Sequence, residues 1–131
     1  MNEQINGFTI RGRLPSLNDY INACRSHWSK GARLKEQTET DIIWQIKAAR
    51  GRGLVHSVSG PVVISFEWHE SDKRRDRDNI YSAKKFILDA MQKAGIIAND
   101  NRRHVVGLYD AIIDDTQDYV IVTIQDADWR K

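Results

Sequence analysis

A single cysteine, Cys24, rules out internal disulfides and any cysteine-built zinc site. Only two prolines occur, Pro15 and Pro61, and no Pro/Gly/Ser-rich linker, internal repeat or low-complexity tract divides the chain. One domain over residues 1–131 is therefore expected. No apolar run approaches the roughly 20 residues of a membrane helix, and the polar Met1–Gly7 lacks the apolar core of a signal peptide. A cytoplasmic setting without membrane contact is the expectation. The four histidines (His27, His56, His69, His104) are scattered and form no HExxH or paired zinc spacing. There is no glycine-rich phosphate loop ahead of a helix and no GxSxG elbow. The nuclease signature of an acid two residues before a lysine is absent as well.

What is present suits an ordinary folded protein: 131 residues, 40% hydrophobic and 29% charged. The net charge of +2 is small, but it is unevenly distributed. Residues 1–60 carry nine Lys/Arg against five Asp/Glu, residues 61–109 nine against seven, and residues 110–131 two against six. Any face that meets nucleic acid should therefore be built from the first 109 residues.

Residues 5–14 alternate loosely through Ile5, Phe8 and Ile10, which predicts a first strand stopped at Pro15. Ser16–Trp28 reads as a loop with embedded aromatics. Ser29 is a fair N-cap, and Leu34, Ile42, Ile43, Ile46 and Ala49 then recur at helical spacing until Gly51 and Gly53. Val62, Ile64, Phe66 and Trp68 alternate with Val63, Ser65, Glu67 and His69, a period-two strand with one strongly apolar face. A second helix is predicted from about Asn79 to Ala94, with Gly95 in the C′ place. Two last strands fit residues 104–113 and 119–125, with Asp114–Asp118 as their hairpin turn. The expected order is βαβαββ, a small mixed α/β (α+β) domain.

The most informative segment is Asp72-Lys73-Arg74-Arg75-Asp76-Arg77-Asp78-Asn79, which leads into the second helix; Asn99-Asp100-Asn101 follows its end. Carboxylates bind hard cations such as Mg²⁺, and arginines and lysines bind phosphate. Cutting a phosphodiester calls for both. Simpler explanations stand beside this one. Asp78 could be a helix N-cap, the neighbouring arginines could neutralise Asp76, and Asp100 could sit in an ordinary turn. A sixteen-residue helix is roughly 24 Å long. Asp100 therefore joins the other acids only if Ile96-Ile97-Ala98 runs back along it. Stepping about 100° per residue from Ile80, the apolar stripe holds Ala83, Ile87, Ala90, Met91 and Ala94. Lys84 falls on its edge, where a lysine either snorkels or points into a phosphate site.

Taken together, Glu67-Trp68-His69, Arg74 through Ile80, Lys85-Phe86-Ile87-Leu88-Asp89-Ala90-Met91, Lys93-Ala94-Gly95 and Asn99-Asp100 resemble the RusA-type crossover-junction endodeoxyribonucleases, the Holliday-junction resolvases of prophages and bacteria. Leu14-Pro15-Ser16-Leu17-Asn18 is similar to their N-terminal loop, and the likeness spans residues 8 to about 125. It implies a RusA-like fold, a homodimer, Mg²⁺ as cofactor, and symmetric cutting of two strands of a four-way DNA junction. Asp76, Asp78 and Asp100 would be the metal-binding and catalytic acids. The family's helix lysine maps to Lys85 when counted back from Asp89, but to Ser82 when counted forward from Asp78. Lys85 is taken as catalytic, with Lys84 as the alternate. Asn18, Lys73, Arg74, Arg75, Lys84, Arg102 and Arg103 are the candidate DNA contacts. Two rival expectations remain: a nuclease of other branched DNA, and a junction-binding protein that does not cut.

Overall fold

The computed structural model describes residues 5–127; the first four residues of the polar opening segment and the last four of the chain lie outside that range. Strand β1 (Asn6–Arg11) is followed by helices α1 (Leu17–Ser26) and α2 (Trp28–Gly51) and by strand β2 (Val62–Glu70). Helices α3 (Arg77–Tyr81) and α4 (Lys84–Lys93) then lead to β3 (Val105–Asp114) and β4 (Tyr119–Asp126). The protein is a small mixed α/β domain around one four-stranded sheet in the order β1-β4-β2-β3. β2 pairs antiparallel with β4 and parallel with β3.

Core formation follows the strand alternation. Val62, Ile64, Phe66 and Trp68 are buried along β2 and join Val120, Val122 and Ile124 of β4. Ile42 and Ile46 of α2 and Ile87, Ala90 and Met91 of α4 complete this core. Burying such apolar faces is the main driving force for the fold.

Four local expectations change. Ser16–Trp28 is not a loop: α1 starts there, on a capping box in which Ser16 Oγ accepts from Asp19 N (3.1 Å) and Asp19 accepts from Ser16 N (2.9 Å). Next, α2 is capped by His27 rather than Ser29, since His27 Nδ1 accepts from Ser29 N. The second predicted helix is broken at Ser82–Ala83. There Ala83 N bonds back to Ile80 O and Phe86 N to Ala83 O, three-residue steps that tighten the turn. Gly95 does take the left-handed conformation, with φ 76°.

The fourth change concerns topology. β3 and β4 form no hairpin, because β2 lies between them. β2 carries the most continuous apolar face and needs a strand on each side. The segment 115–118 crosses its end instead, a distance of roughly 10 Å for two strand spacings. Polar groups hold this crossing down: Asp115 N donates to Glu70 O (3.0 Å) and Gly12 N to Asp118 O (2.9 Å). Ser71 N also donates to Asp118 Oδ1 (2.8 Å).

Candidate functional site

The loop from Glu70 to Asp78 contains both engaged and unengaged acids. Glu70 is buried and accepts from Arg75 Nη1 at 2.7 Å. Asp72 accepts from Arg74 Nε at 3.1 Å and from Arg74 N at 3.0 Å. Those bonds, with Arg13 nearby, hold the Asp72 carboxyl down at about 2. Arg77 reaches Tyr81 Oη at 3.3 Å. All three arginines of the loop are therefore committed to groups other than Asp76 and Asp78.

Asp76 is the N-cap of α3, and its carbonyl starts the helix by accepting from Asn79 N and Ile80 N. Its side chain makes no capping hydrogen bond. Asp78 lies in the first helical turn, and both acids are exposed. Neither a side-chain cap nor the loop's arginines engage these acids: the N-cap is Asp76 but its carboxylate does not cap, and the arginines are occupied. At a helix N-terminus both carboxylates lie where the backbone dipole favours negative charge.

Asp100 is reached by a reversal of the chain. Beyond Gly95, Ile96 N bonds to Met91 O, and Ile96 and Ile97 are buried. Asp100 then accepts from Lys85 Nζ at 3.2 Å, so the segment after Gly95 has returned to the first turn of α4. Lys85 is also 3.1 Å from Asp89, four residues on. The bonds to Asp89 and then Asp100 raise the ammonium above its ordinary value, although its side chain is 66% exposed.

Lys84 points the other way. Its Nζ donates to Asp110 Oδ2 of β3 at 2.5 Å and lies 5.4 Å from the Tyr81 ring centre and 5.5 Å from that of Phe66. Asp110 also accepts from Trp68 Nε1 at 2.8 Å. This lysine thus joins helix to sheet, with only 19% of its side chain exposed.

The early loop docks onto the same region. Leu17 N donates to Ser82 Oγ (2.8 Å), which itself donates to Asn79 O (2.8 Å). This places the exposed Asn18 close to the α3–α4 break. A cavity of about 230 Å³ opens between Tyr20, Lys35, Ser82, Lys85 and Phe86. Among the proposed DNA contacts, Lys73, Arg102 and Arg103 are exposed, and Arg74 is exposed but tied to Asp72. Arg75 and Lys84 face inward to Glu70 and Asp110.

Two clusters lie outside the candidate site residues read from the sequence. His69 is buried and stacks on Tyr119 with ring centres 4.0 Å apart. Its Nε2 meets Glu67 Oε1 at 2.6 Å and its Nδ1 meets Asp115 Oδ2 at 2.8 Å. Burial pulls the imidazolium down, but the two carboxylate bonds outweigh it and raise His69. The second cluster joins α2 to α4: the buried Glu39 takes Lys93, and Lys35 lies 3.9 Å from Asp89. Glu67 and His69 lie two apart in a strand, on one face, which was the one available signal; Glu39 left none.

The acid set suits a hard cation in chemistry, since it offers only carboxylate oxygens. In geometry, Asp76 makes no capping bond and neither it nor Asp78 has an ion pair among the described residues, while Asp100 is held by Lys85. Among the described residues, no group of three or more His, Cys, Asp or Glu side chains is gathered to hold a metal ion. No helix among them is long and apolar enough to cross a membrane. No protein-family model matches the chain, and no curated protein matches it significantly.

Proposed function

We propose that the protein is a Mg²⁺-dependent endonuclease of branched DNA, with the four-way junction as substrate and two subunits making paired cuts. One observation carries this reading: among the described residues, Asp76 and Asp78 have no cationic partner, in a loop whose arginines all serve other groups. Two exposed carboxylates with no ion-pair partner among the described residues are open to a hard cation, which takes oxygen ligands. Asp100, brought to Lys85 by the reversal after Gly95, supplies a third acid beside a lysine.

When bound, Mg²⁺ supplies Lewis-acid polarisation of the phosphate and a water acidic enough to attack it. Asp76, Asp78 and Asp100 are the residues that would hold it. Lys85, exposed and fully charged, stabilises negative charge developing on the phosphate. Lys73, Arg102 and Arg103 contact the sugar-phosphate backbone, positioning the substrate without reading sequence. The products carry a 5′-phosphate and a 3′-hydroxyl.

The competing reading, a junction-binding protein that does not cut, draws on the pairing of Lys85 with Asp100 and the absence of a gathered acid trio among the described residues. One panel separates the two: junction, fork, flap and linear duplex, each incubated over a Mg²⁺ series. Cutting confined to the junction supports a resolvase, and cutting of forks and flaps a broader nuclease. No nick at any Mg²⁺ concentration leaves only binding. Asp76→Asn is expected to lower junction cleavage by more than the roughly 10–100-fold that disturbing a metal ligand's own partners costs. Binding should persist or tighten, because a negative charge near DNA is removed. Unchanged cleavage in that variant overturns the assignment.

A further inference from the structure

Trp28 and Trp44 are the exposed tryptophans among the described residues, and their surroundings differ. Trp44, within α2, already has a cation over its ring, with Lys47 Nζ 5.5 Å from the centre, and it lines a groove with Glu36 and Asp41. Trp28 is 81% exposed at the corner where α1 gives way to α2. Residues 20–35 around that corner hold four Lys/Arg and no Asp/Glu. Of the four, Arg33 lines the Trp44 groove and Lys35 lies by Glu39 and Asp89. Arg25 and Lys30, each within three residues of Trp28, are exposed and have no ion pair among the described residues.

A single exposed apolar residue is ordinary, but this one is also braced. His27 stacks on the indole with ring centres 5.7 Å apart and planes at 29°. The imidazole is itself pinned, since its Nδ1 accepts from Ser29 N (3.2 Å) as the cap of α2 and bonds Ser29 Oγ (2.7 Å). The two helices meet closely at the buried Gly31, where a Cβ would collide with Cys24 Sγ. α1 buries none of its own residues, so the corner stands outside the core. An aromatic ring held in one pose, open to water and flanked by cations, suits a nucleobase whose phosphates meet those cations.

We propose that Trp28 is a stacking platform for a base laid bare where a DNA strand leaves its duplex, with Arg25 and Lys30 on the adjoining phosphates. Every base has an aromatic face, so this contact is indifferent to sequence and reads the branch instead. The length of α1, ten residues or about 15 Å, separates the corner from Ser82, where Leu17 docks. At about 3.4 Å per nucleotide of a duplex strand, the platform lies roughly four nucleotides from the α3–α4 break. The inference rests on the DNA part of the proposed function and on none of the acids.

The test is binding of the full chain to a DNA fork that carries a fluorescent aminopurine at its first unpaired position, with EDTA present so that no cutting intervenes. Wild type should quench the aminopurine on binding, and Trp28→Ala should not. Trp28→Ala should also raise the fork dissociation constant about 5- to 150-fold, the range for losing one stacked base, with an unchanged melting temperature. Trp28→Phe should restore most of the affinity, because stacking needs only an aromatic face. Relaxed closed-circular duplex, which bares no base face, should bind wild type and Trp28→Ala alike. Lys30→Ala should instead lower the salt dependence of fork binding by about one phosphate contact, a slope that Trp28→Ala leaves alone. Undiminished fork affinity in Trp28→Ala, no quenching by wild type, a phenylalanine that restores nothing, or an equal loss on the closed circle overturns the proposal. A protein that binds forks through Trp28 yet never nicks refutes the nuclease alone, and a nuclease whose fork affinity ignores Trp28 refutes this platform alone.

Discussion

Lys84 and Lys85 are adjacent in the chain and opposite in situation. Lys84 lies between helix and sheet, bonded to Asp110 and set over two aromatic rings. Lys85 stands 66% exposed with two acids, Asp89 and Asp100, within 3.2 Å. The same division runs through the acids of the preceding loop. Glu70 and Asp72 each have an arginine, whereas Asp76 and Asp78 have none among the described residues. A charged residue engaged by a partner across a structural joint supports the fold. One that stays largely exposed, as Lys85 does beside its two acids, can still reach a ligand. On that division, substitutions at Lys84 should register in stability and those at Lys85 in activity.

The largest effect after Asp76→Asn is expected at Lys85. Lys85→Met should lower junction cleavage by roughly 10²–10³-fold, the range for losing one preorganised charge-stabilising group. Its melting temperature should stay close to wild type, because exposed ion pairs are worth little. Cleavage at the wild-type rate would remove Lys85 from the chemistry and return Asp100 to an ordinary turn.

Lys84→Met should do the reverse. It leaves Asp110, whose side chain is 14% exposed, with Trp68 Nε1 as its remaining polar partner. The expected cost is about 1–3 kcal/mol of stability, the penalty for a buried polar group that loses a partner. Methionine keeps the apolar contact with Phe66 and Tyr81, so the loss reports the charge and not the packing. Denaturant unfolding measures it, and adding Asp110→Asn should recover part of it. If Lys84→Met unfolds like wild type yet loses cleavage, the roles of the two lysines are exchanged.

Much of this division was within reach of the sequence, but unevenly. Lys84 falls on the border of the apolar stripe when the helix is read by period, and a side chain there is directed toward the sheet. No local pattern could show that its partner would be Asp110, 26 residues on and across the helix–sheet joint. The strands were legible because alternation is a local signal. Their neighbours were not, because β2 enters between β3 and β4 for reasons of burial that act across the whole domain. α1 escaped the periodic reading because none of its residues is buried. Its start was nevertheless written in Ser16 and Asp19, three apart, the spacing of a capping box. As for the site, the residue types were evident, but that the arginines serve Glu70 and Asp72 emerges only from the fold.

The smallest expected effect lies where every charge is engaged. His69 sits between Glu67 and Asp115 and stacks on Tyr119, at the end of β2 where the segment 115–118 crosses. Burial disfavours its charge, and the hydrogen bonds to Glu67 and Asp115 more than compensate, so the folded state binds the proton more tightly than the unfolded state. A group raised in this way contributes its full stability below its unfolded value. That contribution is lost as pH rises past about 6.5 and on through the raised value of the folded state. The melting temperature should therefore decline modestly over that interval. Asp115 is held below its ordinary value, first by the Thr116 amide and then by His69, so its own contribution is lost only on the acid side. Tyr119 is raised and stays protonated throughout the same interval. His69→Gln should flatten the neutral-to-alkaline decline and leave the acid limb in place, while the pH dependence of junction cleavage keeps its shape. A cleavage profile that shifts with His69→Gln would join this cluster to the chemistry, and the division between structural and available charge would then have to be redrawn to include the end of β2.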